Sequence, residues 1–274
     1  PHFKVLDYEA NSKNVFPNTD IKGGVAISYY DKDKEFEPIE LYTPYPEMHS
    51  VYLKIKDDVE KNGNLSDIMI LQNKYDLDAL DADQPDYKKY IGSDGKEKRL
   101  VSSCFEKNPI FSPVAKDGYI KVLGIMNISE RTYRWIDERY ITDNGNLNKY
   151  KVIVPNSNGS GALGEVMSTP LIGTPLIGYT QSFIGIGSFD NEKEAENLLK
   201  YVKSKFCRAA LGLLKITQSN SPDKWLLVPL QNFTSSSDID WSKSIPEIDQ
   251  QLYRKYGLSD DEVKFIEEHV KAME

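Results

Sequence analysis

One stretch constrains the architecture more than any other. Asn191 and Glu194 stand as a capping pair, and Ala195, Leu198, Leu199, Val202, Phe206, Ala209, Ala210 and Leu213 follow at spacings of three and four residues. That pattern predicts one continuous helix over 191–213 with a single apolar face, which has to be buried against another layer. Lys193, Lys200, Arg208 and Lys215 fall on the opposite side. Two uses stay open for that side: the solvated back of a core helix, or a surface that tracks phosphates.

The rest of the chain supplies partners for the helix. Residues 3–8, 24–30, 119–125, 133–136 and 150–154 read as strands, and 171–186 adds two more, interrupted by Pro175. Residues 47–61 predict a helix with Met48, Val51, Tyr52, Ile55 and Val59 on one side. Near the end, 246–256 is helical with Gly257 as its stop, and Ser259 with Glu262 opens a last helix running to Met273. The polar, turn-rich stretch 72–99 is expected to be a mobile loop. The fold class expected is α+β, with mixed or antiparallel sheet and a helical C-terminal end. Three segments are expected: a strand-turn-strand unit over 1–37, a larger domain over 38–232, and a helical extension over 233–274.

Charge bears on function through its distribution. The total is −8, yet residues 88–215 hold 19 basic and 13 acidic side chains, against 9 and 18 in 1–87 and 6 and 11 in 216–274. A mildly basic middle between acidic flanks suits one DNA-facing surface, since phosphate attraction needs a local patch. Uneven surface charge without function reads the same way. Cys104 and Cys207 lie far apart and suggest a reducing compartment, so a cytoplasmic location is expected. No apolar run approaches the roughly 18 residues of a membrane span, and no membrane partner is expected. The chain opens Pro1-His2-Phe3 without an initiator Met, for which a fragment or a processed chain is the simplest expectation.

Motifs for catalysis fail on context. Gly159-Ser160-Gly161-Ala162-Leu163-Gly164 has dinucleotide-loop spacing, but Pro170 and Pro175 follow where a helix is required. A flexible, close-approach loop is the better reading. His2, His49 and His269 have no metal-ligand spacing. Glu262-Val263-Lys264 has the letters of a nuclease centre but sits on a predicted helix, and Asp94-Gly95-Lys96 sits in a polar loop. The Asn/Asp-Pro-Pro-Tyr/Phe motif of adenine-N6 methylation is absent. No catalytic residue and no cofactor are assigned to this chain.

Val15-Phe16-Pro17-Asn18-Thr19-Asp20-Ile21-Lys22-Gly23-Gly24-Val25-Ala26-Ile27 resembles the late strand-turn-strand element of adenine-N6 DNA methyltransferases, in the version found in fused type IIG restriction–modification enzymes. Tyr150–Pro155, the glycine-rich loop, Tyr179–Phe183, the 195–206 helix and Trp225–Phe233 follow in an order similar to the target-recognition domains of those bacterial enzymes. The resemblance covers 1–35 and 110–270. It implies a DNA-recognition module whose parent carries S-adenosylmethionine in a methylase half, and magnesium if it also cleaves DNA. Its partners would be double-stranded DNA and the methylase or nuclease domains of the parent.

On that reading Lys96, Lys98, Arg99, Arg131, Arg134 and Lys151, with Lys88, Lys89 and Lys149, would neutralise phosphates. Arg131, Arg134, Asn156, Asn158, Ser160 and Gln181 would offer groups for base edges. Ile21, Lys22, Gly23 and Gly24 would abut the pocket of the target base, which has to leave the stack to be modified. Turn capping and a simple hairpin bend are the plainer uses of the same residues. A protein-interaction module docking a methylase or nuclease subunit, and a nuclease with an unrecognised active site, are the alternatives.

Overall fold

Ser204 interrupts the helix that the pattern draws as continuous. Its backbone is extended (φ −61°, ψ 151°), so the run divides into a helix at Glu192–Lys203 and another at Lys205–Gly212. The Ser204 hydroxyl accepts from Cys207 N–H at 3.1 Å, which is the local competition that makes serine a helix starter. Asp249 completes the break: its buried carboxylate accepts from Lys205 N–H and Phe206 N–H at 3.0 and 2.9 Å. No spacing rule could see that tertiary partner.

The computed structural model describes residues 1–9, 11–19, 21 and 24–273. Lys22 and Gly23 of the expected base-pocket turn lie outside them. In chain order the strands are β1 (Phe3–Glu9), β2 (Val25–Tyr30), β3 (Met69–Ile70), β4 (Lys74–Tyr75), β5 (Tyr119–Met126), β6 (Glu130–Asp137), β7 (Ile141–Thr142), β8 (Tyr150–Pro155), β9 (Leu171–Gly173), β10 (Ile177–Tyr179) and β11 (Phe183–Phe189). The helices are α1 (Pro46–Asn62), α2 (Leu77–Asp83), the single turn α3 (Gly92–Gly95), α4 (Cys104–Lys107), α5 (Glu192–Lys203), α6 (Lys205–Gly212), α7 (Ile245–Lys255) and α8 (Asp260–His269). The fold is α+β, with antiparallel and mixed sheets and helices at the C-terminal end, as the sequence leads one to expect.

A four-stranded antiparallel sheet, ordered β3-β11-β8-β9, packs on α1, α5 and α6. Val152, Val154, Ile184 and Ile186 meet Leu198, Val202 and Phe206 in that core. Ile248, Leu252, Phe265 and Ile266 of α7 and α8 join it, so residues 233–274 share the core of the larger segment. A second core forms entirely from residues 75–147 around the β5–β6 pair, to which β10 adds in parallel. Leu123, Ile153, Tyr179 and Phe183 make a small apolar seam between the two.

The stretch 72–99 belongs to that second core, which corrects its expected reading as a mobile loop. Tyr75, Leu80, Tyr87 and Ile91 are buried, while Lys88 pairs with Asp81 and Lys89 with Asp86 at the surface. Burial of a few scattered apolar side chains outweighs the polar average of the segment. Gly124 has a matching role on β5: a Cβ there would lie 2.3 Å from the Phe105 ring, so only glycine lets α4 sit against the strand. The first two strands form a separate antiparallel ribbon with a bulge at Leu6, on which Phe3 and Tyr30 face each other and are both exposed.

Candidate nucleic-acid interface

The residues picked out for DNA contact divide by what already occupies their polar atoms. Lys151 is fully buried, and its ammonium donates to the carbonyls of Leu147, Lys149 and Thr174 at 3.0 to 3.2 Å. Burial pushes its pKa down to about 8. It pins the start of β8 to the 174 turn and reaches no solvent, so its expected phosphate contact is corrected. Asn158 is likewise spent: its side-chain oxygen accepts from Ser168 N–H and the Ser168 hydroxyl, and its amide donates to Val166 C=O at 2.9 Å. Ser160 gives its hydroxyl to Glu165, whose carboxylate also accepts from the Ser160 and Gly161 backbone N–H groups at 2.9 to 3.2 Å. The glycine-rich loop thus wraps around a side chain of its own, an anion-binding turn filled from within. Gly161 adopts φ +98° there, with Ile216 and Thr217 backbone where a Cβ would be.

On the basic side of the long helix run Lys193 is exposed and pairs with Glu196, as a solvated back has it, but the other three cations differ from expectation. Arg208 is buried and donates to the carbonyls of Lys203, Glu165 and Lys271. Lys215 is buried against Asn158 C=O and Thr217 C=O, and Lys200 bonds Trp241 C=O and Lys243 C=O. These cations close the chain ends of neighbouring loops, a structural use that a helical wheel cannot distinguish from a solvated face.

The remaining candidates converge. Gln181 donates its backbone N–H to Leu100 C=O at 2.7 Å, which sets the Lys98–Leu100 segment beside it. Asn156 donates its backbone N–H to Ser182 C=O at 2.9 Å, which sets it beside the same turn. Neither side-chain amide has a hydrogen-bond partner among the described residues, and both side chains are half-buried. Arg131 reaches Phe183, two residues after Gln181: its guanidinium carbon lies 5.5 Å from the centre of the Phe183 ring, and it donates to the carbonyls of Ser168 and Thr169 at 2.6 Å each. Desolvation lowers its pKa, the sign of a cation already half withdrawn from water. Positions far apart in sequence, 100, 156 and 181–182, are therefore joined along the seam between the two cores, with Arg131 over the adjoining Phe183.

The cations around that seam differ in availability. Lys96 and Lys98 are exposed and have no carboxylate partner among the described residues, as do Lys74, Lys107 and Lys116. Arg99 is exposed but forked onto Glu97 at 2.8 and 2.6 Å, which holds that carboxyl down at about 2. Arg134 donates to Tyr133 C=O and to Met126 sulfur and has no carboxylate partner among the described residues. Lys149 pairs with Asp190. Lys121, not among the candidates drawn from the sequence, has its ammonium 4.1 Å from the Tyr133 ring centre and 5.9 Å from that of Trp135. Its signal was present in the alternation of Lys121, Leu123 and Ile125 along β5, which aligns it with Trp135 across the ladder.

A third environment lies under the N-terminal ribbon. A cavity of about 510 Å³ is lined by Tyr8, Tyr42, Tyr45, Ile21, Ser160 and Leu213 among others. Ile21 is held there by its N–H on the Ser12 hydroxyl at 3.0 Å, and Gly24 adopts φ +78°. Among the described residues no cluster of three or more His, Cys, Asp and Glu could hold a metal, and no helix is long and apolar enough to cross a membrane. Both cysteines are buried free thiols. Comparison with protein-family models and with curated proteins finds no match to the chain.

Proposed function

We propose that this chain is the sequence-reading module of a bacterial restriction–modification enzyme, which holds double-stranded DNA in register while other domains methylate an adenine. The observation that carries the reading is the seam: two side-chain amides without partners among the described residues, Asn156 and Gln181, near the Lys98–Leu100 segment, with Arg131 over the adjoining Phe183. Amides of this kind pair bidentately with adenine, and lysines without carboxylate partners neutralise phosphates. S-adenosylmethionine, and magnesium for cleavage, belong on this reading to the methylase and nuclease domains of the parent.

The test is retention of a random-sequence duplex library at two salt concentrations, with sequencing of the bound fraction. An enriched motif whose binding weakens with salt supports the reading. Absence of retention at low salt overturns it.

One observation favours a second reading, a docking module for a methylase or nuclease subunit. The β1–β2 ribbon leaves Phe3, Leu6, Ile27 and Tyr30 exposed, and an isolated two-stranded ribbon is marginal on its own. Protein docking through this ribbon and DNA binding at the seam are compatible. Alone, docking predicts that the chain retains no DNA.

A further inference from the structure

Tyr179 takes part in two sheets at once. Its backbone lies in β10, which runs parallel to β5 with Tyr179 beside Leu123 in the three-stranded sheet of the second core. Its hydroxyl leaves that sheet for the other one. The oxygen stands 3.0 Å from Ile70 C=O on β3 and 3.1 Å from the Asn146 side-chain oxygen, and it accepts from the Asn144 amide at 3.1 Å. Asn144 also donates to Leu71 C=O at 2.8 Å, and Asn146 to Gly187 C=O of β11 at 3.2 Å. Residues 70–71 are where the chain leaves the four-stranded sheet, and 144–146 lie just before it returns at β8. Gly185 leaves room for this meeting, since a Cβ there would lie 2.4 Å from the Tyr179 hydroxyl.

The same tyrosine closes a ring of bonds that ends on the two open amides. Tyr179 N–H donates to the Asn73 side-chain oxygen at 2.9 Å, and Asn73 N–H to Tyr179 C=O at 3.1 Å. Leu100 N–H goes on to Asn73 C=O at 3.0 Å and Gln181 N–H to Leu100 C=O at 2.7 Å, while Asn156 N–H reaches Ser182 C=O. The network is buried but incompletely paired: the Asn73 amide nitrogen and the Thr180 hydroxyl have no partner among the described residues. A buried polar group without a partner costs stability, and an apolar seam would avoid that cost. What the network supplies instead is one fixed arrangement, because its bonds are directional and apolar contacts are not.

We propose that Tyr179 is a positioning residue for DNA reading: its hydroxyl fixes the three-stranded sheet on the four-stranded one, so that Asn156, at the end of β8, and Gln181, in the loop after β10, meet the duplex in one register. This rests on the DNA-recognition reading above and adds the residue that sets the two readers relative to each other. Asn156 and Gln181 then act as a pair. Loss of the hydroxyl affects the bases read by both, while the exposed lysines keep their phosphates.

The experiment uses the duplex enriched by the wild-type chain and single-base changes of it, with the positions read by Asn156 and Gln181 located by their alanine variants. Tyr179→Phe keeps the buried ring and removes the hydroxyl. It is expected to lower discrimination about tenfold, the scale of one bidentate base contact, at both positions, with the slope of log affinity against log salt unchanged. Should Tyr179→Phe be unfolded, Asn144→Ala, which removes a partner of the hydroxyl from a half-buried position, takes its place with the same expectation. Ile248→Val, in the core behind the four-stranded sheet, is the control for lost stability and should discriminate as wild type does. Wild-type discrimination in the hydroxyl variant, loss at one position alone, or an equal loss in Ile248→Val overturns the positioning role while leaving DNA recognition standing. Retention of DNA without enrichment, or a motif that both alanine variants leave intact, likewise overturns the role. No retention at all overturns the role and the DNA reading together.

Discussion

Arg131 lies over the ring of Phe183, with its guanidinium carbon 5.5 Å from the ring centre. From that position it donates to Ser168 C=O and Thr169 C=O, next to a Thr169 backbone at φ +30°. The planar fork is what makes both bonds available at once, and a lysine cannot reproduce it. Arg131→Lys should therefore cost about 1.5–3 kcal/mol of stability, the range of a lost hydrogen bond to a charged group. DNA affinity should fall with the enriched motif unchanged, because Arg131 positions the seam. Thermal melting and library selection on the variant check both parts.

Gln181 and Asn156 carry the opposite expectation. Their side-chain amides have no partner among the described residues to lose, so Gln181→Ala and Asn156→Ala should leave the melting temperature nearly unchanged. Each should relax the motif at one position, at a cost of about 1–3 kcal/mol in discrimination. Asn158→Ala is the control: it strands Ser168 N–H and should destabilise the loop without altering the motif. A variant pair in which Asn158 changes the motif and Gln181 does not would reverse the assignment.

Lys98 and Lys151 separate phosphate contact from internal support. Lys98→Gln should lower the slope of log affinity against log salt by about one, with stability intact. Lys151→Met should leave that slope alone and cost about 1–3 kcal/mol of stability, since three carbonyls lose their donor. Lys151 also has a pH signature. Its native pKa of about 8 lies below the ordinary 10.5, so between those values the unfolded chain holds the proton that the native state has released. Its contribution to stability therefore rises with pH across that window, and the rise should vanish in Lys151→Met.

Asp249 is expected to act in the acid range with the opposite slope. Burial raises its carboxyl to about 6 from the ordinary 3.8. Between these values the native state keeps a proton that the unfolded chain has given up, so this group's contribution to stability falls as pH rises. The loss is on the order of 3 kcal/mol at full effect. Denaturant melts of wild type and Asp249→Asn at pH 4 and pH 7 test this: the variant should lack the fall. It should also be weaker at both pH values, because an amide nitrogen cannot accept from the second of the two α6 N–H groups.

Elements with a local cause were legible before the structure. The capping box of Ser259 and Glu262 and the apolar spacing of α1 need only neighbours within a turn or two, and both stand where the sequence places them. The break at Ser204 was not legible, because it depends on Asp249 more than forty residues away. The site divides in the same way. Residue type nominated Asn156, Asn158 and Ser160 equally, and only the tertiary partners Ser168 and Glu165 separate the amide left open from the two groups already bonded. Buried Lys151 and exposed Lys98 look alike in composition, since what distinguishes them is three carbonyls assembled by folding.

The residues of the second core leave the main sheet after β3 and return to it at β8, and both of those strands pair with β11. Entry and exit are thus two strand spacings apart, about 10 Å. A graft between those two points can be of almost any length, because closing a longer excursion adds cost only logarithmically. The sheet then acts as a fixed mount with an exchangeable head. On the DNA-recognition reading proposed above, new preferences would arise by recombination of one continuous block of chain, with the helices behind the sheet inherited untouched.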